Sequence, residues 1–190
     1  NEERKELDAS ITEEALKMVS EEDVSKKSTV VFQKEWHKGV VGIVASRLIE
    51  SYYKPTIVLC GNDGMATGSA RSVKGFDVHD AIDQCSDLLE QFGGHKYAAG
   101  LSLKIENVEA FRKRFEEVVS ITITKEQQTR EIGIDGTLTA GDLKPSKQGD
   151  VFPKLYRLIE QFAPFGPGNM KPTFIMKDLY DKKGWSRIVG

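Results

Sequence analysis

Three short stretches carry residue types that bind anions. The first is Trp36-His37-Lys38-Gly39-Val40-Val41-Gly42, where His37 and Lys38 precede a helical run. Glycines there give access to the first-turn N–H groups, which point at any anion placed before them. Close packing of the helix on a neighbour explains the same glycines, and for Gly42 that explanation is preferred. The second stretch is Gly68-Ser69-Ala70-Arg71-Ser72. Gly68 opens the backbone, Ser69 and Ser72 can donate, and Arg71 can bind a phosphate bidentately. The same residues also fit a strand end with a surface arginine. The third is Phe92-Gly93-Gly94-His95-Lys96-Tyr97-Ala98-Ala99-Gly100-Leu101-Ser102-Leu103. Here the paired glycines admit close approach to the backbone, and His95 can donate to an anion.

A simpler account of Gly93 and Gly94 is a left-handed helix cap, with His95 favoured at the negative helix end by about 0.3–1 kcal/mol. A cap leaves the small run Ala98-Ala99-Gly100 unexplained. The two accounts coexist: the glycines end a helix and also admit a phosphate.

Other groupings carry less. Asp77-Val78-His79-Asp80 tempts a metal reading, but Asp77 and Asp80 stand at the Ncap and N3 positions of a helix, so they read as a cap. The chain has three histidines and no HExxH pattern, and the expectation is no metal site within it. No nucleophile–base pair stands out. Ala163-Pro164-Phe165-Gly166-Pro167-Gly168-Asn169-Met170-Lys171-Pro172 reads as a stiff turn in preference to an exposed loop beside a nucleic-acid groove.

The elements that must position these residues follow from periodicity. Asn1 to about Glu22 is a charged helix with Leu7, Ile11, Ala15, Met18 and Val19 on one stripe, the pattern of a connector. Thr29 to Phe32 is a buried strand, Val40 to Tyr52 a helix stopped by Pro55, and Thr56 to Cys60 a second strand. After the turn Gly61-Asn62-Asp63-Gly64 comes a third strand, Met65 to Val73, interrupted at Gly68. Asp77 caps a helix running to about Phe92, Ala98 to Ile105 is a strand, and Asn107 caps a helix to Val119. The order β-α-β-β-α-β-α predicts an α/β (α+β) domain with a mixed sheet flanked by helices. Beyond Ile121 the character changes. Glu131 to Thr139 and Thr173 to Tyr180 read as strands, Val151 to Phe162 as a helix, Asp181 to Gly184 as a hairpin turn, and Trp185 to Val189 as strand-like. This predicts part of a small β-rich domain. The expected organisation is 1–27 connecting helix, 28–121 main domain and 122–190 partial second domain.

At 190 residues with net charge −2, the chain has no global positive field, so nucleic acid must be bound by a local patch. Cys60 and Cys85 lie in apolar contexts without metal-type spacing, which points to reduced thiols and a cytoplasmic protein. No run is long and apolar enough for a membrane span. The chain opens with Asn1 inside a helical pattern and stops just after a strand-like run, so both ends read as cut.

Taken in order, these motifs resemble the C-terminal half of the RecJ family, single-strand-specific 5′-to-3′ DNA exonucleases of the DHH phosphoesterase superfamily. The resemblance rests on Trp36 to Leu48, Lys54-Pro55, Gly68 to Ser72, Phe92 to Leu101 and Phe165-Gly166-Pro167-Gly168-Asn169, with Asn1 to Lys5 resembling the helix that joins the two RecJ domains. It implies that 28–121 is the DHH-associated domain and 122–190 part of an oligonucleotide-binding fold. It implies Mn²⁺ or Mg²⁺ as cofactor, held by Asp and DHH motifs of an N-terminal catalytic domain that this chain lacks. The partners implied are single-stranded DNA and that missing domain, in DNA repair and recombination. Carried over by motif, Gly68, Ser69, Arg71 and Ser72 hold a phosphate of the strand, the 5′ one. Gly93, Gly94 and His95 contact the scissile phosphate, His95 with a catalytic role, while His37 and Lys38 add to phosphate binding. The fragment alone is expected to be inactive. Two other readings stay open: a DHH-family phosphodiesterase acting on oligonucleotides or cyclic dinucleotides, and a non-catalytic single-strand-binding or interaction module.

Overall fold

Two β-branched runs set the frame. In the computed structural model, which describes residues 2–20, 25–145, 147 and 151–180, β1 (Thr29–Gln33) and β2 (Thr56–Asn62) pair in parallel, Val30 opposite Ile57 and Val31 opposite Val58. Such strands are apolar on both faces because both faces are covered. The crossover is α2 (Val41–Tyr52), which ends on Tyr53 in the left-handed region, φ 49°, just before Pro55. From β2 the chain turns through Asp63 (φ 47°) and Gly64 (φ 79°). Positive φ at both central residues is what a tight hairpin needs. It returns as β3 (Met65–Arg71), antiparallel to β2. β3 runs unbroken through Gly68, contrary to the interruption expected there.

After α3 (Val78–Asp83) the structure departs from expectation. The predicted helix from Asp77 to Phe92 stops at Asp83. The chain then winds by i,i+3 turns, Cys85 N–H to the Ile82 carbonyl (2.9 Å) and Leu88 N–H to that of Cys85 (3.0 Å). This tighter winding preserves the helix-like apolar spacing of Ile82, Cys85, Leu88 and Leu89. The Glu90 N–H already bonds the Ser102 carbonyl (2.9 Å). Gln91–His95 is then a strand, β4, antiparallel to β5 (Ala98–Lys104). Gly93 and Gly94 are thus strand residues, not a helix cap. Asn107 does not cap α4 (Val108–Thr122); its side-chain amide donates to the Leu88 carbonyl (3.3 Å).

The five strands lie in the order β1-β2-β3-β5-β4, parallel only between β1 and β2. One face packs Val30, Ile57, Leu59, Leu101 and Leu103 against α3 and α4, whose Phe111 and Phe115 are fully buried. The other face packs Val31, Val58 and Cys60 against Val41, Val44, Ala45 and Leu48 of α2. α1 (Glu2–Ser20) lies over α2 through Ile11, Ala15 and Val19. Polar contacts fix it there: Arg47 to the buried Asp8 (2.6 Å), and the Trp36 indole N–H to Glu14 (2.8 Å). No helix among the described residues is long and apolar enough to cross a membrane.

The chain divides into two units, Asn1–Arg130 and Glu131–Gly190. None of the described residues of the second is buried. Its expected strands shrink to β6 (Gly136–Thr137) and β7 (Phe174–Ile175), paired in parallel, and its helix α5 to Lys154–Glu160. The proline/glycine loop is a tight turn, with Gly166 and Asn169 exchanging backbone bonds of 2.9 Å. Gly168 there has φ 83°, as a Pro-Gly turn requires. The turn expected at Asp181 to Gly184 and the strand at Trp185 to Val189 lie outside the described residues, as do Glu21 and Glu22.

One carboxylate ties the start of the sheet to α4. Burial alone would raise the pKa of Glu116, but the N–H of Lys27, the hydroxyls of Ser28 and Ser120, and the N–H of Ser28 outweigh it and hold the pKa below the usual glutamate range. The stability this lends is complete above the unfolded-state pKa, about 4.3, and is lost as pH falls through the lower folded value. Glu116→Gln is expected to lower unfolding free energy at pH 7 by about 1.5–3 kcal/mol, with the gap to the parent chain narrowing below about pH 4 in urea titrations.

Candidate functional site

The short loop after β1 is anchored by Trp36, which is buried and hydrogen-bonded to Glu14. This leaves His37, Lys38 and Gly39 exposed at the head of α2. The His37 ring accepts the Gly39 N–H at Nδ1 (3.0 Å), so Nε2 is its donor. Val40 heads α2 without a capping side chain, so the first-turn N–H groups meet no side-chain acceptor.

Arg71 ends β3 on the same sheet face as α2. Its Nη1 donates to Ser69 Oγ (2.7 Å) and to the Ala70 carbonyl (2.8 Å). The guanidinium lies against the first turn of α2, since a Cβ on Gly42 would fall 2.9 Å from Arg71 Nη2 and 3.3 Å from Ser69 Oγ. Close packing does explain Gly42, as expected, and what it packs against is the arginine. Lys38, Gly39, Gly42, Ser46, Ser69 and Arg71 line a cavity of about 480 Å³ there.

α2 covers β2 and β3. Beyond it, the same face carries Gly100 and Ser102 of β5 and Gln91, Gly93 and His95 of β4, all exposed or half-buried. The register arranges this face in cross-strand rows: Arg71–Ala98–His95, Ser69–Gly100–Gly93 and Thr67–Ser102–Gln91. A second cavity of about 310 Å³ lies over the last two, lined by Lys38, Thr67, Gln91, Gly93, Gly100 and Ser102. Lys38 borders both cavities, and among the described residues no carboxylate lines either.

The expected site residues divide accordingly. Ser69, Arg71 and Lys38 converge on one cavity, and Gly93 faces the other. His95 shares the row of Arg71 two strands away, with its Nδ1 taken by the Tyr97 N–H (3.4 Å). Ser72 turns away, its hydroxyl donating to the Phe76 carbonyl (2.9 Å). Gly68 and Gly94 have structural reasons: a Cβ would lie 2.0 Å from the Val58 oxygen and 2.4 Å from the Ala98 oxygen, respectively. Thr67, Gln91 and Ser102 escaped the sequence reading. Reading Gln91 to His95 as alternating strand residues would have placed Gln91 on the face of Gly93 and His95.

The arrangement can hold anions and offers little else. Asp77 caps α3 by accepting the Asp80 N–H (3.1 Å). Cys60 and Cys85 are buried, and burial raises both thiols, Cys85 to about 11, so neither is a nucleophile at neutral pH. Among the described residues no three His, Cys, Asp or Glu side chains come together to hold a metal ion. These residues do not fit the Mn²⁺ or Mg²⁺ that the resemblance implies.

Comparison with known proteins agrees with the motifs. The single-stranded-DNA-specific exonuclease RecJ of Bacillus subtilis (strain 168) is 34% identical over 180 residues, 94% of this chain and 22% of that protein. RecJ of Escherichia coli (strain K12) is 31% identical over 183 residues, 92% of this chain and 30% of that protein. The chain therefore spans less than a third of the length of these curated relatives. Among solved structures, RecJ in complex with Mn²⁺ from Thermus thermophilus superimposes with a TM-score of 0.73 at 29% identity, over 93% of this chain and 24% of that one. The resemblance to RecJ and the mixed α/β fold are both borne out. The DHHA1 domain model matches residues 25–121, and the chain belongs to the DHHA1 domain family.

Proposed function

We propose that this chain is the substrate-binding part of a single-stranded-DNA-specific 5′-to-3′ exonuclease of DNA repair and recombination. The observation that carries the reading is the Arg71 guanidinium, held by Ser69 against the uncapped first turn of α2 in a cavity that Lys38 borders. Two cations, a hydroxyl and helix N–H groups without a carboxylate are the donor set of a phosphate site. The phosphate is the 5′ one of the strand.

His95 is the contact for the next phosphate, the scissile one, with the Gly93–Gly94 backbone beside it. Two strand spacings separate His95 from the Arg71 position, about 9.6 Å between backbones. With its Nδ1 engaged, His95 offers Nε2–H to a phosphate oxygen and so stabilises developing charge. It is a phosphate contact and not a general base. The metal ligands belong to sequence outside this chain, and no step through them is derived from these residues. Residues 28–121 are the DHH-associated domain, and 122–190 are part of an oligonucleotide-binding fold that follows the strand downstream.

Arg71→Ala is expected to weaken binding of 5′-phosphorylated single-stranded oligonucleotides by about 10–100-fold while leaving 5′-hydroxyl strands nearly unchanged. Equal loss on both, or none, in fluorescence-anisotropy titrations refutes the assignment. Gly42→Ala tests the same pocket from its other wall. Alanine suits a helix better than glycine, by up to about 1 kcal/mol, and the Cβ meets the movable tip of Arg71 and, at 3.3 Å, the Ser69 hydroxyl that holds it. The melting temperature should hold or rise while the 5′-phosphate preference falls. Incubated with labelled single strands and Mn²⁺, the chain by itself should release no nucleotides; turnover that co-purifies with the chain and survives nuclease controls would contradict the placement of the metal ligands.

A further inference from the structure

The reading above uses the Arg71 row and leaves the second cavity without a role. Its floor is bare backbone. An added Cβ at Gly93 would meet no atom within 4 Å, and one at Gly100 only the Gly68 oxygen at 3.9 Å. Neither glycine is required by packing, unlike Gly68 and Gly94. Together they make a trough between two rows, and rows on one strand face are about 6.8 Å apart. On its far side stand Thr67, Ser102 and Gln91, cross-strand neighbours on one face. Among the described residues, none of these three side chains makes a hydrogen bond. Such a row of donors and acceptors on an open sheet face has its capacity left for a ligand.

We propose that this trough holds the base of the 5′-terminal nucleotide. The inference rests on the phosphate assignments above. A nucleotide with one phosphate at Ser69–Arg71 and the next at His95 has its nucleoside over Gly100 and Gly93. The flat ring lies on the glycine backbone, with no side chain to hold it off. Its polar edge meets Thr67, Ser102 and Gln91, and Lys38, bordering both cavities, faces the phosphate that joins them. A hydroxyl pair with a rotatable amide offers donors and acceptors to any base, so the trough senses the presence of a base more than its identity.

The test compares two 5′-phosphorylated oligonucleotides, one with an ordinary first nucleotide and one abasic there. The chain should bind the first about 5–100-fold more tightly, the range of one stacked base. Gly100→Val fills the trough at a position where a side chain is free to stand, and valine suits a strand better than glycine. It should bind both strands alike, at the abasic level, with an unchanged or higher melting temperature. The double variant Gln91→Ala, Ser102→Ala leaves the floor intact and should narrow the discrimination, so the test stands even if Gly100→Val folds poorly. Equal binding of the two strands by the parent chain, or full discrimination by both variants, overturns the proposal. In either case a 5′-phosphate preference that persists and depends on Arg71 leaves the phosphate assignment standing, whereas its absence removes that assignment first.

Discussion

One helix covers only half of a sheet face, and the site depends on that. α2 connects two parallel strands and crosses back over β2 and β3, where with α1 it buries Val31, Val58 and Cys60. The sheet continues past the helix by two further strands. On their opposite face, Leu101 and Leu103 still meet α3 and α4. On the face beyond α2 the same strands carry glycine, serine, glutamine and histidine instead. The alternation of β5 is the sequence record of this: Leu101 and Leu103 point one way, Gly100 and Ser102 the other. Apolar residues there would have made an exposed hydrophobic patch. Small and polar ones leave a backbone surface that another molecule can approach.

Charge acts locally. The chain has net charge −2, yet the two cavities beside α2 meet Lys38 and Arg71 without an opposing carboxylate among the described residues. The carboxylates near this region serve elsewhere: Glu14 binds Trp36 and Gln33, and Asp8 binds Arg47. α1 is therefore more than a polar connector. Its acids consume donors of β1, of the loop that follows it and of α2, and they hold Trp36 so that His37 and Lys38 face outward. A positive pocket on a weakly acidic protein favours a ligand whose charge is concentrated in one group, as in a terminal phosphate, over one attracted by a broad field.

Much of this was legible in the sequence because local signals and the tertiary outcome agreed. The β-branched runs of β1 and β2, the stripe of α2 and its stop at Pro55 all appear where the pattern puts them. The Ser69–Arg71 pair was legible because both residues lie on one strand face two apart. The stretch from Asp77 to His95 was not. Its apolar spacing suits an α-helix and equally suits a short helix continued by i,i+3 turns, and only pairing with β5 decides where the strand begins. That pairing is non-local, so a window along the chain cannot see it. The second unit fails for a related reason. Alternation marks which side of Ile132 and Ile134 could be buried, but among its described residues nothing is, and the two expected strands pair over only two residues each.

The glycines show most directly what a sequence withholds. Gly42, Gly68, Gly93, Gly94 and Gly100 are the same letter in three situations. Gly68 and Gly94 lack a side chain because backbone oxygens occupy its place, so they specify the fold. Gly42 lacks one because an arginine tip occupies it, so it specifies the site through another residue. Gly93 and Gly100 have nothing but space above them. In a strand, glycine without a packing reason weakens the element, by roughly 0.5–1 kcal/mol relative to alanine. Two such residues opposite each other on adjacent strands double that cost at one place on the sheet, and the surface they leave is flat, bare and flanked by the row of Arg71 and His95. A cost borne where the fold gains nothing is the physical mark of a surface kept clear for something outside the chain.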